Sequence, residues 1–323
     1  MREAADDTRA FPGRAGIETV VHREEKKMRH HNAAMAGFLC CFVACCAFQS
    51  QAATPFRRTE KSTSELLQSA PGNGEAIIWH LYHSGFALKT AHHLLIFDYW
   101  PGNHVPADKK GLAAGLIDPN EIKGEDVIVF ISHEHDDHFY RDCIEWKDKV
   151  KTIRYVVSPE VSRADKRFAS QEDSIISIAP NKTANIKDIQ VKTLRSTDSG
   201  VAFLVKTDGL TIYHSGDHAC WNWNNDPNME SRFATELLKP LEGEDIDIAM
   251  HVCDPRLKTS GWGGIGAFTQ KYKPRMVAPM HLMGKYKETQ EIESFLKSIN
   301  SPSSFWAIQG RGDCVIYQRE KKG

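Results

Sequence analysis

Four side chains of the kinds that bind metal ions lie close together in the segment Ser132 to His138. They are His133, His135, Asp137 and His138. Neutral imidazole and carboxylate groups bind zinc at about 2.0 to 2.2 Å. Two histidines separated by one residue can aim both rings at one point, and the Asp-His pair can serve a second point. Because the apolar run Val127 to Ile131 comes directly before, a metal site at a strand end is favoured over a solvated histidine-rich loop.

The spacing H-x-H-x-D-H resembles the signature of the metallo-β-lactamase superfamily, and the resemblance extends from about Ile77 to Ile316. It implies that Asp98, at the end of an apolar strand, orients the histidine loop by hydrogen bonding. It also implies that Asp217 is a carboxylate bridging two metals and that His281 completes the second site. Taken alone, each of these three residues is more often a turn or core residue than a functional one. Their order along the chain gives them weight.

One position departs from the family pattern, which supplies a further histidine between the His cluster and the bridging aspartate. This chain has no histidine from residue 139 to residue 213. Asp198 is the predicted substitute, and the alternative is that it caps a turn. The first ligand set is then His133, His135, Asp217 and Asp198. The second set is Asp137, His138, Asp217 and His281. The predicted cofactor is one or two zinc ions, with iron or manganese as alternatives.

This ligand chemistry predicts a hydrolase. Metal coordination lowers the pKa of a bound water toward about 7, which gives a nucleophile at neutral pH. The predicted enzyme uses a metal-bound hydroxide to cleave an ester, lactone, amide or phosphodiester bond of a small-molecule substrate, with Asp137 and His138 as catalytic residues. Two alternatives remain open: a mononuclear iron oxidoreductase on the same fold, and a degenerate exported binding protein. β-Lactam cleavage is disfavoured, since the candidate ligands include no cysteine.

Short apolar runs predict the elements that must position these residues. A meander of strands is predicted from residue 76 to residue 98, then a strand over 127–131 and a helix over 139–150. The second half repeats this rhythm with further strands, a helix over 232–238, and alternating strands and helices up to residue 317. This order predicts an α/β fold, an αββα sandwich in which two mixed β-sheets pack face to face with helices on the outer faces.

Composition divides the chain into three segments. Residues 1–52 are predicted to be an N-terminal extension with a signal peptide. Residues 53–74 are predicted to be a polar linker with one short helical turn around Glu65. Residues 75–323 are predicted to form one hydrolase domain, because about 250 residues suit a single domain of this class.

The expectation of export depends on residues 33–48, an apolar run without a charged residue. Basic residues come before it and Ser50-Gln51-Ala52 follows. The run is shorter than the about 20 residues of a membrane-spanning helix, so it is typical of a signal peptide cleaved near Ala52. The predicted location is periplasmic or secreted. The alternative is a lipobox-like segment at Phe42–Cys45, which would leave a lipid anchor on Cys45. Membrane contact is expected only through these features.

The charge balance and the cysteines restrict the remaining possibilities. Forty-one basic and forty-two acidic residues give a net charge of -1, which argues against a nucleic-acid partner. Four cysteines lie beyond the signal region: Cys143, Cys220, Cys253 and Cys314. Disulfides and buried free thiols are both left open for them.

Several other polar or aromatic residues are weaker candidates for functional roles. They are His83, His218, Trp221, Trp223, Asp254 and Arg256. His218 and the two tryptophans follow the bridging aspartate and are predicted to line the pocket mouth, with surface packing of the tryptophans as the alternative. Arg256 is a candidate partner for an anionic substrate group, with an ordinary salt bridge as the alternative. Asp254 follows a strand end on the active face and ranks last.

Overall fold

The computed structural model describes residues 54–105, 108–169, 173–224, 226–257 and 259–320. The predicted signal peptide and the alternative lipid-anchor cysteine lie outside the described residues. Among the helices of the described part, none is both long enough and apolar enough to span a membrane.

The first of two sheets combines the N-terminal strands with the last strand of the described chain. Its members are β1 (Phe56–Arg58), β2 (Glu75–Tyr82), β3 (Gly85–Lys89), β4 (Leu94–Phe97), β5 (Asp126–Ile131), β6 (Thr152–Val157), β7 (Ile175–Ser177) and β15 (Cys314–Gln318). Their spatial order is β1-β15-β2-β3-β4-β5-β6-β7. Pairing is antiparallel from β1 to β4 and parallel from β4 to β7, so the sheet is mixed.

The second sheet repeats this plan. Its members are β8 (Thr183–Ile186), β9 (Ile189–Arg195), β10 (Val201–Thr207), β11 (Leu210–His214), β12 (Ile248–Val252), β13 (Met276–Met280) and β14 (Ser304–Phe305). The strands are ordered β14-β13-β12-β11-β10-β9-β8. Strands β8 to β11 pair antiparallel and strands β11 to β14 pair parallel. Both sheets therefore bring the carboxyl ends of neighbouring parallel strands to one edge.

Helices and short turns of helix connect the strands. The α-helices are α1 (Thr63–Gln68), α2 (Pro159–Ala164), α3 (Met229–Arg232), α4 (Thr259–Tyr272) and α5 (Glu288–Ser298). One π-helical turn, Phe233–Leu237, continues α3. The 3-10 turns are Leu112–Ala114, Arg141–Asp148, Lys166–Ala169, Lys239–Leu241 and Pro255–Leu257.

Alternating side chains of the central strands build three apolar layers. In β5, Ile128 and Phe130 enter the core between the sheets, whereas Val127 and Val129 enter the layer under the outer helices of the first sheet. In β12, Ile248, Met250 and Val252 point to the central core, whereas Ala249 belongs to a third cluster under the helices of the second sheet. Because successive strand residues face opposite sides, a strand buried on both faces reads as a continuous apolar run. The predicted αββα sandwich of two mixed sheets is confirmed.

The described part of the predicted polar linker 53–74, which begins at residue 54, contributes a strand and a helix to the domain, and this corrects the predicted boundary. Strand β1 extends the edge of the first sheet by antiparallel pairing with β15. Helix α1 begins at a capping box between Ser62 and Glu65 and buries Leu66 in the outer apolar layer. The sequence did not predict strand β1, because Phe56 is its one apolar residue and a polar segment of this composition is typical of a loop.

One further element differs from the sequence-based expectation, and the state of the cysteines, which the sequence left open, is now known. The helix predicted over residues 139–150 is the 3-10 segment Arg141–Asp148, which buries Cys143, Ile144 and Trp146 as its apolar spacing indicated. The four cysteines of the described part are free thiols rather than disulfides.

Candidate metal centre

The candidate ligands meet at the carboxyl ends of parallel strands from both sheets. Asp98 follows β4, and the segment His133 to His138 follows β5 in the first sheet. Asp217 lies beyond the end of β11 and His281 directly follows β13 in the second sheet. All of these except part of the histidine loop are buried. The interface between the sheets therefore assembles residues that are far apart in the sequence.

Glycine allows the histidine loop to lie against the second sheet. Gly200 has φ +65°, and a Cβ there would overlap the carbonyl oxygen of Ser132 and come 2.6 Å from the Cβ of His133. Gly216 has φ +50°, and a Cβ there would lie 2.6 Å from the carbonyl oxygen of Val201. Only glycine adopts such backbone angles at little cost while leaving this space open. Close backbone packing thus fixes the loop that carries the ligands.

The first group of ligand atoms comes from His133, His135 and Asp217, whose atoms all lie within 4.8 Å of one another. His133 Nε2 is 3.0 Å from His135 Nδ1 and 3.4 Å from Asp217 Oδ2. Three ligands with an open side are the usual arrangement at catalytic zinc sites.

The second group brings Asp137, His138 and His281 together with His83, again within 4.8 Å. Asp217 also faces this group, because its Oδ1 is 3.1 Å from His138 Nε2 and 3.5 Å from His281 Nε2. One carboxylate thus presents a different oxygen to each group. This is the position that the sequence predicted for a bridging carboxylate.

Two buried atoms at the centre of this arrangement have no hydrogen-bond partner among the described residues. They are His138 Nε2 and Asp217 Oδ1. The two atoms lie 3.1 Å apart. A buried polar atom without a partner is costly. A cation bound between a nitrogen and an oxygen donor satisfies both, so the side chains present fit a metal ion.

The outer hydrogen bonds of three histidines keep their Nε2 lone pairs free. His138 Nδ1 donates to Asp98 Oδ2 over 2.7 Å. His281 Nδ1 donates to Asp254 Oδ2 over 2.8 Å. His133 Nδ1 donates over 2.8 Å to the hydroxyl of Ser132, whose own proton goes to Asp98. Such outer acceptors select the ring tautomer that binds metal through Nε2.

Asp98 is the hub of these outer bonds, as the resemblance implied. Its Oδ1 accepts the backbone N–H of Ser132 over 2.8 Å. Its Oδ2 accepts the Ser132 hydroxyl and the His138 ring. Burial opposes ionisation of Asp98, but His214 and His138 outweigh that effect and hold its pKa below the ordinary value. The carboxylate therefore stays charged and acts as an acceptor only.

Electrostatics inside the centre favour charged carboxylates. Burial opposes the charged form of Asp217, but His138, His281 and His133 hold its pKa well below the usual range. Burial likewise opposes the protonated form of His138, whereas the carboxylates of Asp217 and Asp98 raise its pKa. Burial lowers the pKa of His133 to about 3, which leaves this ring neutral and able to bind metal.

His83 is the residue whose role the sequence analysis left unassigned. Its Nδ1 accepts the backbone N–H of Met283 over 3.2 Å, so the proton of the neutral ring is on Nε2. That Nε2 donates to Asp137 Oδ2 over 3.1 Å. Burial is the largest effect on His83 and lowers its pKa to about 4. His83 therefore positions Asp137 by hydrogen bonding, because a protonated Nε2 cannot bind a metal.

Asp254, the last-ranked candidate, has the same function for His281 that Asp98 has for His138. It is buried and accepts the ring N–H of His281. Arg256 donates to both of its oxygens, with Nε 3.0 Å from Oδ1 and Nη2 2.5 Å from Oδ2. Burial opposes ionisation, yet these two partners lower the pKa of Asp254. The only sequence signal was its place beyond a strand end on the active face.

Asp198 lies at the edge of the centre rather than within it. Its side chain is exposed and belongs to neither group of clustered ligand atoms. Its backbone N–H donates to the Ser196 hydroxyl over 3.1 Å. It does line the same cavity as the ligands. Its role as a ligand stays a prediction.

The centre opens into a cavity of about 510 Å³, a size that suits a small molecule. The candidate ligands that line it are His135, Asp137, Asp198, Asp217 and His281. Trp221, Trp223 and Arg256 form part of its wall, as expected for the tryptophans. His218 does not, which corrects that prediction: it is buried and its Nε2 donates to the carbonyl of Leu237.

Comparisons with known proteins agree with this architecture. Residues 77–281 match the family described as Beta-lactamase superfamily domain. A protein named UPF0173 metal-dependent hydrolase, from Thermococcus kodakarensis, is 24% identical over 237 residues, which are 71% of this chain and 94% of that protein. Igni18, a metallo hydrolase from Ignicoccus hospitalis, has a similar fold with a TM-score of 0.54 and 16% identity, covering 76% of this chain and all (100%) of that one. The diiron β-hydroxylase CmlA from Streptomyces venezuelae also has a similar fold, with a TM-score of 0.50 and 11% identity. The match covers 76% of this chain and 54% of CmlA.

Proposed function

The chain belongs to the β-lactamase superfamily domain family as a metal-dependent hydrolase, and we propose that it cleaves an ester, lactone, amide or phosphodiester bond of a small substrate. The observation that carries the proposal is the placement of Asp217. This buried carboxylate presents one oxygen to His133 and the other to His138 and His281. Such an arrangement suits one or two divalent ions. Imidazole and carboxylate donors without thiolate favour zinc, with iron and manganese as alternatives.

A bound divalent ion would supply an acidic water molecule and a Lewis acid for the bond that is broken. His133, His138 and His281 would hold it through nitrogens whose orientation is fixed by outer hydrogen bonds. Asp217 would balance its charge. Asp137 keeps an ionised carboxylate beside the ligand atoms, with a side chain that is 28% exposed, where it can accept a hydrogen bond from the attacking water and orient it. His83 prevents that carboxylate from rotating away.

Metal removal tests this proposal directly. Protein purified without added metal is analysed for bound ions, and hydrolysis is measured on a panel of aryl ester, lactone, amide and phosphodiester substrates. Treatment with a chelator is expected to reduce hydrolysis to the uncatalysed rate, and a single divalent ion added back is expected to restore it. The ordered outer hydrogen bonds predict that the protein remains folded throughout, which circular dichroism checks.

Other results of the same experiment would favour the alternatives. Hydrolysis that persists at its full rate in the metal-free protein would contradict the proposal. One equivalent of iron, with oxygen consumption and no hydrolysis, would identify the oxidoreductase. Failure of every substrate class, with ligand binding that survives conversion of His133, His135 and His138 to alanine, would identify a binding protein.

A further inference from the structure

One wall of the cavity is aromatic and begins at the metal ligands. Trp221 packs edge-on against the ring of His281, with centroids 5.6 Å apart, and its Nε1 donates to the carbonyl of Asp217. Trp223 stacks on Trp221 with centroids 5.8 Å apart and an interplanar angle of 15°. The two rings thus extend in a row from the centre toward the cavity mouth.

The outer ring of this row is unusually accessible. Trp223 is 56% exposed, the highest value among the large apolar side chains that the described residues leave exposed. A tryptophan in this position offers a flat apolar face at low entropic cost, because only two side-chain torsions need to be fixed. Its stacking on Trp221 holds the ring in place before any ligand arrives.

Arg256 adds a positive charge beside this aromatic face. Its guanidinium carbon lies 5.9 Å from the centre of the Trp223 ring. Nε and Nη2 are bound to Asp254, while Nη1 has no acceptor among the described residues. The side chain is 56% exposed, and no other arginine or lysine of the described part lines the cavity. Because Asp254 holds the guanidinium in one orientation, Nη1 is a fixed donor.

We propose that Trp223 and Arg256 form a subsite for a planar organic anion, in which a ring stacks on the tryptophan and its carboxylate or other oxyanion group binds the guanidinium. This proposal rests on the proposed function, and it narrows the substrate to an anionic molecule with a flat ring. The scissile bond would lie toward His281 and Asp217, at the inner end of the aromatic row. Besides Asp254, the carboxylates of Asp137 and Asp217 also act on Arg256 and raise its pKa. Asp198 lines the same cavity, so the subsite requires the bound metal ion to offset these negative charges.

A positioning role is the competing explanation for Arg256. Through Asp254, the guanidinium also orients His281. Loss of that role alone would lower the metal content of the protein, which is measured for every variant. Loss of an anion contact would weaken only the charged ligand. Metal content, together with a charged ligand and its neutral isostere, therefore separates the two roles.

The test measures binding of 1-naphthoate and its neutral isostere 1-naphthamide to the metal-loaded protein by isothermal titration calorimetry. Arg256→Gln is expected to weaken naphthoate by about tenfold or more, the loss typical of a charge-assisted hydrogen bond, and to leave naphthamide unchanged. Trp223→Ala is expected to weaken both ligands. Arg232→Gln is the matched control, since Arg232 is 51% exposed and lies outside the cavity, and it is expected to change neither.

Metal content is determined for every variant in the same preparations. Equal weakening of both ligands by Arg256→Gln, unchanged naphthoate binding, or a wild-type protein that binds neither ligand would each overturn the subsite. The readout requires no turnover. If Arg256→Gln weakens naphthoate but not naphthamide and no substrate is hydrolysed, the subsite is supported and the proposed function is contradicted. If a substrate is hydrolysed but the substitution does not distinguish the two ligands, the proposed function is supported and the subsite is contradicted.

Discussion

Asp217→Asn is expected to lower metal binding and hydrolysis together, by more than the about 10- to 100-fold that follows loss of an outer partner of a ligand. Asparagine has the same shape, but it replaces one oxygen with an amide NH₂ group that cannot bind a cation. It also removes a negative charge that both ligand groups face. Bound metal per chain is measured by mass spectrometry, and hydrolysis is followed on the best substrate of the panel.

The matched control for this substitution is Asp136→Asn. Asp136 lies in the same loop as the histidines, but its side chain is 89% exposed and its nearest ionic partner is Arg141. Metal content and rate are expected to stay at wild-type values. An Asp217→Asn protein with full metal content and full activity would contradict the role assigned to the shared carboxylate.

Asp98→Asn is expected to affect both the metal centre and the stability of the fold. Asp98 accepts three hydrogen bonds, from the Ser132 backbone, the Ser132 hydroxyl and His138. Asparagine tolerates the positive φ of this position, 39°, but its NH₂ group must face a donor. Each buried donor left unsatisfied costs about 1 to 3 kcal/mol of unfolding free energy. Metal affinity is expected to fall by about 10- to 100-fold, because the tautomers of two ligands lose their anchor.

A second aspartate with a left-handed backbone provides the control. Asp208 has φ 47°, its side chain is 5% exposed, and it accepts from Thr90 and from the His92 backbone in the turn after β10. Asp208→Asn is expected to lower stability in chemical denaturation while leaving the rate per folded molecule unchanged. Equal losses of activity in both variants would mean that Asp98 acts through general stability alone.

The parts of the site that the sequence predicted share one physical property. Each of Asp98, the histidine loop, Asp217 and His281 comes at or just beyond the end of an apolar run, where a buried strand delivers its next residues to the sheet edge. The periodicity of burial is local, so it can be read from neighbouring residues. The resemblance to the metallo-β-lactamase superfamily then implies which strand ends meet.

The parts that the sequence did not predict depend on contacts between distant residues. The tautomer of His83 is set by the backbone N–H of Met283, 200 residues away. Asp254 orients His281 from 27 residues away, across two separate strands. Strand β1 exists because the edge of β15 accepts it, although its own residues have little apolar character. In each case the conformation depends on a partner residue or strand elsewhere in the chain. A pattern of neighbouring residues therefore cannot predict it.

The central claim is that a metal ion binds between Asp217 and the histidines of both sheets, and anomalous X-ray diffraction from crystals of the zinc-loaded protein tests it most directly. The predicted result is an anomalous peak about 2.0 to 2.2 Å from His138 Nε2, His281 Nε2 and Asp217 Oδ1. A second peak beside His133 and His135 would also show whether Asp198 approaches it. A hydrolytically active crystal form whose only zinc peak lies elsewhere, such as at the distant group of His93, Asp188 and Asp208, would contradict the account.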